Sequence, residues 1–248
     1  MTDDAANRIA KEFAGLDSGA VCDVLSKQYG MRTRFMNGIR PVVGGGTMIG
    51  RAVTVRFVPW REDLTRLYPD TKGLTAEYAA IEAARPGDVL VYDAQGRIGN
   101  ALLGDIMATR LKVRGGLGFV IDGAIRDGAG LRSVGVSVYA RDRQGTPGPA
   151  ANLAAELNVP IQCGGVLVLP GDLIFADEDG VVVIPQDKVS AVAEAAQAIR
   201  EREEFVRSKL IGEGVPLDNV YPLNAALEKE FASWKQSRRP SGKGAGDR

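Results

Sequence analysis

The stretch NALLGDIMATRLKVRGGLGFVIDGAIRDG, residues 100–128, decides how the rest of the chain is read. It opens on an apolar, glycine-bearing turn, Leu102-Leu103-Gly104, followed by an acid, Asp105. Ile106 to Val113 reads as a helix, broken by Gly115, Gly116 and Gly118. Phe119-Val120-Ile121 reads as a buried strand, and the stretch closes on Asp122-Gly123 and the pair Arg126-Asp127. Two acids and a permanent cation therefore bracket one helix–strand unit. A helix starting at Gly104 leaves the N–H groups of Gly104, Asp105, Ile106 and Met107 without helical acceptors, which makes a ready carboxylate site. Arg126 adds a planar charged fork able to hold a carboxylate or an enolate oxygen, and Asp127 can ligate a cation through oxygen. A strand returning parallel to the helix would bring Arg126 back to the helix's N-terminal end. Each residue also has a plain structural use: Asp105 as a first-turn acid facing the helix dipole, Arg126-Asp127 as an exposed turn pair.

The chain around this stretch narrows the chemistry. Its 248 residues contain no histidine, which removes Ser-His-Asp catalysis, HExxH zinc sites and histidine proton shuttles. A metal must then be held by oxygen, which suits Mg²⁺ or Mn²⁺ better than zinc. Lys+Arg and Asp+Glu are both 31, so no general basic field draws in nucleic acid. The two cysteines, Cys22 and Cys163, lie far apart in apolar contexts and read as reduced core thiols. No segment has the roughly 20 apolar residues of a membrane span, and the acidic N-terminus lacks a signal-peptide core. The expectation is a cytoplasmic protein with no membrane partner.

Outward from the stretch, residues 4–14 read as a helix, and a second follows Asp17 or Ser18 as N-cap and ends at Gly30. Met48 to Phe57 alternates as a strand. Residues 58–74 are irregular and charged, with an insertion-like run at 60–72, and Thr75 to Arg85 is helical. Val89 to Asp93 reads as a buried strand. Leu131 to Ala140 reads as a strand, and short strands at 166–169, 173–176 and 181–184 suggest hairpins rather than βαβ repeats. Val189 to Leu210 reads as one amphipathic helix with a Glu203–Arg207 pair on its polar side, and a second helix covers about 223–234. Residues 1–235 read as a single mixed α/β domain with flanking helices, and 236–248 as a disordered tail.

The glycines at 115–118 precede a strand and miss the G-x-G-x-x-G spacing, so they do not make a dinucleotide site. An aspartate, 20 intervening residues and then Arg-Asp (Asp105, Arg126, Asp127) resembles the signature of the 4-hydroxy-4-methyl-2-oxoglutarate aldolases. That family includes the regulator of ribonuclease E activity A. The resemblance extends, in order, through Arg51-Ala52-Val53-Thr54-Val55, Pro86-Gly87-Asp88-Val89-Leu90-Val91, Gly116-Leu117-Gly118, Pro170-Gly171-Asp172 and the run from Asp177 to Pro185. It implies a β/β/α swivelling-domain-like fold, a homotrimer or homohexamer with sites between subunits, and class II pyruvate aldolase chemistry. By the same resemblance, Asp127 is the direct Mg²⁺ or Mn²⁺ ligand and Asp105 holds metal-bound water. The amides of Gly104, Asp105, Ile106 and Met107 bind the substrate's carboxylate, and Arg126 stabilises the pyruvate enolate. Glu203 or Glu204 is a loose candidate for the acid that reaches a neighbouring subunit's metal. The substrate class is a 4-hydroxy-2-oxo acid, with oxaloacetate decarboxylation as a side activity. The alternative is a protein that modulates a ribonuclease by binding and does no chemistry.

Overall fold

The computed structural model describes residues 3–61, 76–147 and 151–238. The charged run at 60–72 therefore falls largely outside the described residues, as does the tail from 239 onward. The chain divides into two compact units, residues 1–193 and 194–248.

The first unit is a mixed α/β body whose eight-stranded sheet is nearly closed and barrel-like. Its elements are α1 (Asp3–Glu12), α2 (Ser18–Tyr29), β1 (Arg40–Val43), β2 (Met48–Pro59), α3 (Ala76–Ala83), β3 (Asp88–Leu103), α4 (Asp105–Val113) and β4 (Gly118–Ile125). They continue with α5 (Gly128–Val134), β5 (Ser137–Arg143), β6 (Asn152–Leu157), β7 (Ile161–Cys163), β8 (Val166–Val168), β9 (Leu173–Ala176) and β10 (Val181–Ile184). The strand order is β1-β5-β4-β3-β2-β9-β10, with β6 also paired to β2 and β7-β8 forming a separate hairpin. β2, β3, β4 and β5 run parallel, and β1, β6 and β9 join them antiparallel.

Side-chain alternation explains why this sheet is buried on both faces. Leu90 and Tyr92, Phe119 and Ile121, and Val138 and Ala140 pack with Leu111 and Leu131 of α4 and α5. Val89, Val91, Val120 and Tyr139 point the other way, onto Met36, Ile39, Ile161 and Val183. α2 starts as the sequence suggests: the Asp17 carboxylate accepts from Ala20 N–H at 2.7 Å, and Gly30 closes the helix in the left-handed region.

Four local expectations change. Leu102-Leu103 is not a turn, because β3 runs to Leu103. A kink at Gln95 (φ 58°) and Gly96 (φ 74°) re-aims that strand, and its register with β4 shifts past Tyr92. Leu131 to Val134 is helix, not strand: α5 is the crossover that two parallel strands, β4 and β5, require. The hairpin reading holds for β9-β10 but fails for 166–169 with 173–176, because β8 pairs with β7 while β9 pairs with β2 and β10; the β3-α4-β4-α5-β5 stretch is a double βαβ. Finally, β4 cannot run parallel to α4, because α4 connects two parallel strands and must run back against both.

The second unit holds the rest of α6 (Val189–Gly212), α7 (Leu217–Val220) and α8 (Ala225–Ser237). Phe205, Val206, Val220, Leu227 and Phe231 form its core, and Phe205 meets Phe231 and Trp234 at ring distances of 5.6 and 5.7 Å. Among the described residues, no helix is long and apolar enough to cross a membrane.

Candidate functional site

The end of β3 and the end of β4 are adjacent, and the site grows from that edge. The Arg126 N–H donates to the Leu103 carbonyl at 2.9 Å, so the two residues that leave these strands, Gly104 and Arg126, start side by side. Gly104 is the extended N-cap of α4 and has no side chain to cap it, which leaves the first-turn amides of α4 aimed outward. Asp127 adopts the left-handed conformation (φ 57°, ψ 39°) ahead of α5, uncommon for a residue other than glycine or asparagine. That turn aims its carboxylate back at α4. A Cβ placed on Gly104 would stand 2.6 Å from Asp127 Oδ2 and 3.4 Å from Arg126 Nε. Arg126 Nε and Asp127 Oδ2 are themselves 3.3 Å apart, with both side chains about two-fifths exposed (42% and 41%).

Asp105 is held in the reciprocal way. Its carboxylate lies over Gly130 of α5, so closely that a Cβ there would come within 2.8 Å of the carboxylate carbon. Each acid thus rests on a glycine of the other's helix. The structure brings together Gly104, Arg126 and Asp127, with Asp105 next to Gly104 and set against Gly130, and Gly104, Met107 and Arg126 lie along the wall of a cavity. Ile106 contributes to this group through its backbone N–H in the first turn of α4, and the residue itself is exposed. Glu203 and Glu204 belong to the second unit, where Glu203 pairs with Arg207 at 2.9 Å and Glu204 with Arg200 and Arg238, both at 3.1 Å. Among the described residues, no three acidic, cysteine or histidine side chains converge as a metal-holding group.

The cavity has a volume of about 370 Å³, which suits a small molecule. Gly104, Met107 and Arg126 line it beside the strand ends. Phe57, Leu102 and Leu153 make its apolar wall, and Glu77 and Asn152 are polar groups within it. Asn152 is fixed in place: its amide donates to Asn100 Oδ1 at 2.8 Å, and its oxygen accepts from Arg97 at 2.8 Å.

Glu77, in the first turn of α3, lies beside the buried Tyr92 hydroxyl. Burial pushes the Glu77 carboxyl up from 4.5 to about 8, and the Tyr92 hydroxyl only partly offsets this. Burial, chiefly, and the neighbouring Glu77 raise the Tyr92 phenol as well. Glu77 Oε1 and Tyr92 Oη are both shut off from solvent, each the other's polar neighbour. Between pH 4.5 and about 8 the unfolded chain has lost this proton while the folded chain keeps it, so folding weakens as pH rises. Glu77→Gln removes that cost. Its stability advantage over the wild type is expected to grow by roughly 3 kcal/mol from pH 5 to pH 8, read by urea unfolding at both values. A difference that does not change with pH would contradict it.

Sequence reasoning did not reach Glu77, Asn152, Phe57 or Gly130. Glu77 sits in an ordinary helical pattern, and Gly130 in a segment read as the approach to a strand. Nothing local marks either one, because their roles come from α3 and α5 folding over the strand ends.

Comparison with known proteins adds the relationships. A family model described as RraA-like, Aldolase/RraA, matches residues 18–183. A protein of Halalkalibacterium halodurans with the provisional name 4-hydroxy-4-methyl-2-oxoglutarate aldolase is 39% identical over 152 residues, which are 60% of this chain and 68% of that one. The crystal structure of Streptomyces coelicolor RraAS2, described as an unusual member of the RNase ES inhibitor RraA protein family, is 32% identical with a TM-score of 0.74. That likeness covers 82% of this chain and 98% of that one. A crystal structure from Pseudomonas syringae is 26% identical, with a TM-score of 0.73 over 86% of this chain and 96% of its own.

Proposed function

Since the chain belongs to the RraA-like (Aldolase/RraA) family, we propose that it is a divalent-metal-dependent lyase. In this reading it cleaves a 4-hydroxy-2-oxo acid to release pyruvate and decarboxylates oxaloacetate through the same enolate. The observation that carries the reading is the close approach at Gly104. The missing Cβ lets Asp127 Oδ2 and Arg126 Nε sit against the N-terminus of α4.

The donor set fits a hard cation. Asp127 and Asp105 offer carboxylate oxygens, and Mg²⁺ or Mn²⁺ needs only one or two carboxylates because it keeps several waters. Asp127 would hold the ion, with Asp105 as the second acid beside it. When bound, the ion supplies Lewis-acid polarisation of the 2-oxo group. The α4 amides at 104–107 take the substrate's carboxylate, which the positive end of the helix favours. Cleavage breaks the C3–C4 bond: the C4 hydroxyl gives up its proton and C4 becomes the carbonyl of the departing product. The bonding pair passes into the pyruvate enolate, which takes a proton at C3. The Arg126 fork faces the oxygen on which that charge develops. Loss of CO₂ from oxaloacetate leaves the same enolate. The homotrimer or homohexamer, the small 2-oxo-acid partner and the cytoplasmic location remain part of this reading.

The test is pyruvate formation from oxaloacetate with Mg²⁺ or Mn²⁺, with and without a chelator. Pyruvate release that chelation stops is the expected result. Arg126→Lys is expected to lose about 10²-fold in kcat, because a point charge does not reproduce the fork. A chelator-insensitive rate, or a fully active lysine variant, would remove the corresponding assignment. The second reading, a regulator that acts on a ribonuclease by binding, draws on the likeness to the Streptomyces protein. It predicts no pyruvate in the same assay.

A further inference from the structure

Two contacts cross between the start of α4 and the start of α5. Asp127 Oδ2 lies 2.6 Å from the Cβ position of Gly104, and the Asp105 carboxylate lies over the Cβ position of Gly130. Gly104 and Asp105 are consecutive, and Asp127 and Gly130 are three residues apart, about one turn of α5. The two contacts therefore form a clasp in which each acid reaches across to a glycine. The Gly130 half is the tighter one. A Cβ there would overlap Asp105 Oδ2 and stand 2.8 Å from both the Cβ and the carboxylate carbon of Asp105. A carboxylate oxygen can swing away, but a Cβ moves only with its backbone. Both backbones are tied. Thr109 Oγ1 donates to the Asp105 carbonyl at 2.8 Å within α4, and the Leu131 N–H donates to the Asp127 carbonyl at 2.9 Å within α5. Leu131, the neighbour of Gly130, is fully buried in the core, which holds α5 against the sheet.

We propose that Gly130 is a positioning residue of the metal site: its missing side chain lets Asp105 take its place as the second acid beside the ion that Asp127 holds. This inference rests on the metal-dependent lyase reading. An alanine at 130 fills the space of the Asp105 carboxylate, so either the acid turns out of that space or α4 and α5 part. In both cases Asp105 loses its place relative to Asp127, and the ion is held less tightly. Gly130 itself touches neither ion nor substrate and acts through Asp105.

The test is Mn²⁺ affinity, titrated by the electron paramagnetic resonance of the free ion. It is measured for the wild type, Gly130→Ala, Asp105→Ala and the double variant, with Tm and pyruvate release from oxaloacetate alongside. Gly130→Ala is expected to weaken Mn²⁺ binding about 10-fold, the scale of disturbing a group that orients a metal site. Asp105→Ala is expected to weaken it at least as much, and the double variant to bind within about 2-fold of Asp105→Ala. Losses that multiply in the double variant would mean that Gly130 supports the fold independently of Asp105, which overturns the proposal. Wild-type affinity in either single variant overturns it too. For Gly130→Ala that result would come with a raised Tm, since alanine favours a helix over glycine. If Gly130→Ala does not fold, the double variant is expected to fold and to bind as Asp105→Ala does, because two of the three crowded atoms are gone. A double variant that stays unfolded, or binds far more weakly, overturns the proposal. A wild type that binds Mn²⁺ and releases pyruvate keeps the lyase reading in each of these cases. A wild type that binds no Mn²⁺ removes both.

Discussion

Asp127→Asn is expected to lower metal-dependent pyruvate release by on the order of 10³-fold while leaving the fold intact. Asparagine is the informative replacement because Asp127 sits in the left-handed region at φ 57° and ψ 39°. Alanine there adds backbone strain of about 1 kcal/mol, whereas asparagine tolerates the conformation nearly as well as aspartate. The variant therefore changes one thing, the negative charge on the oxygen that sits against Gly104 and Arg126. Its side chain is 41% exposed, so little packing is lost. Thermal unfolding should stay within about 2 °C of the wild type, since surface changes of this kind are worth under about 0.5 kcal/mol. The decisive measurement is pyruvate release against metal concentration. A variant that keeps the wild-type rate at the wild-type metal concentration would take Asp127 out of the proposed metal site.

The second large effect is structural. Gly118→Ala is expected to destabilise the first unit by about 3 kcal/mol, seen as a fall of roughly 6–12 °C in Tm. Gly118 begins β4 and pairs with Val89 on one side and Ser137 on the other. A Cβ there would overlap the Ser137 carbonyl oxygen and stand 2.7 Å from Met48 Sδ. The thioether can swing aside, but the carbonyl belongs to the neighbouring strand and can move only if β4 and β5 separate. The site depends on that pairing because β4 delivers Arg126 to the end of β3. Gly118→Ala should therefore lose activity in parallel with stability, unlike Asp127→Asn, which separates the two. An alanine variant with wild-type Tm would show that the strands yield more easily than this packing implies.

The glycines at 115–118 also gain distinct roles. Gly115 turns the chain at φ +84°. Gly116 and Gly118 are there for close approach, the first against Leu111 and the second against β5. A local reading can see that the helix must stop here. It cannot see which glycine serves the turn and which makes room for another element.

Much of the molecule is decided by short-range chemistry. The Asp17 cap and Gly30 stop of α2, the apolar β3 and β4 segments, and the absence of histidine all follow from residue types and near-neighbour spacing. So does the pairing of Asp105 with Arg126-Asp127 as a candidate constellation, through its likeness to a known motif. Tertiary structure decided the rest. Leu131 to Val134 has the composition of a strand, yet it is helix, since two parallel strands can be joined only by a chain that crosses back. Asp105 and Asp127 each come to rest on a glycine of the other's helix, an arrangement spread over 27 residues from Gly104 to Gly130. Glu77 became part of the cavity through packing alone: α3 folds over β2, β3 and β6 and shuts one carboxyl oxygen away from water. Periodicity and capping act within a few residues and are legible along the chain. A cavity is made by elements distant in sequence, and no local pattern records which side chains will meet inside it.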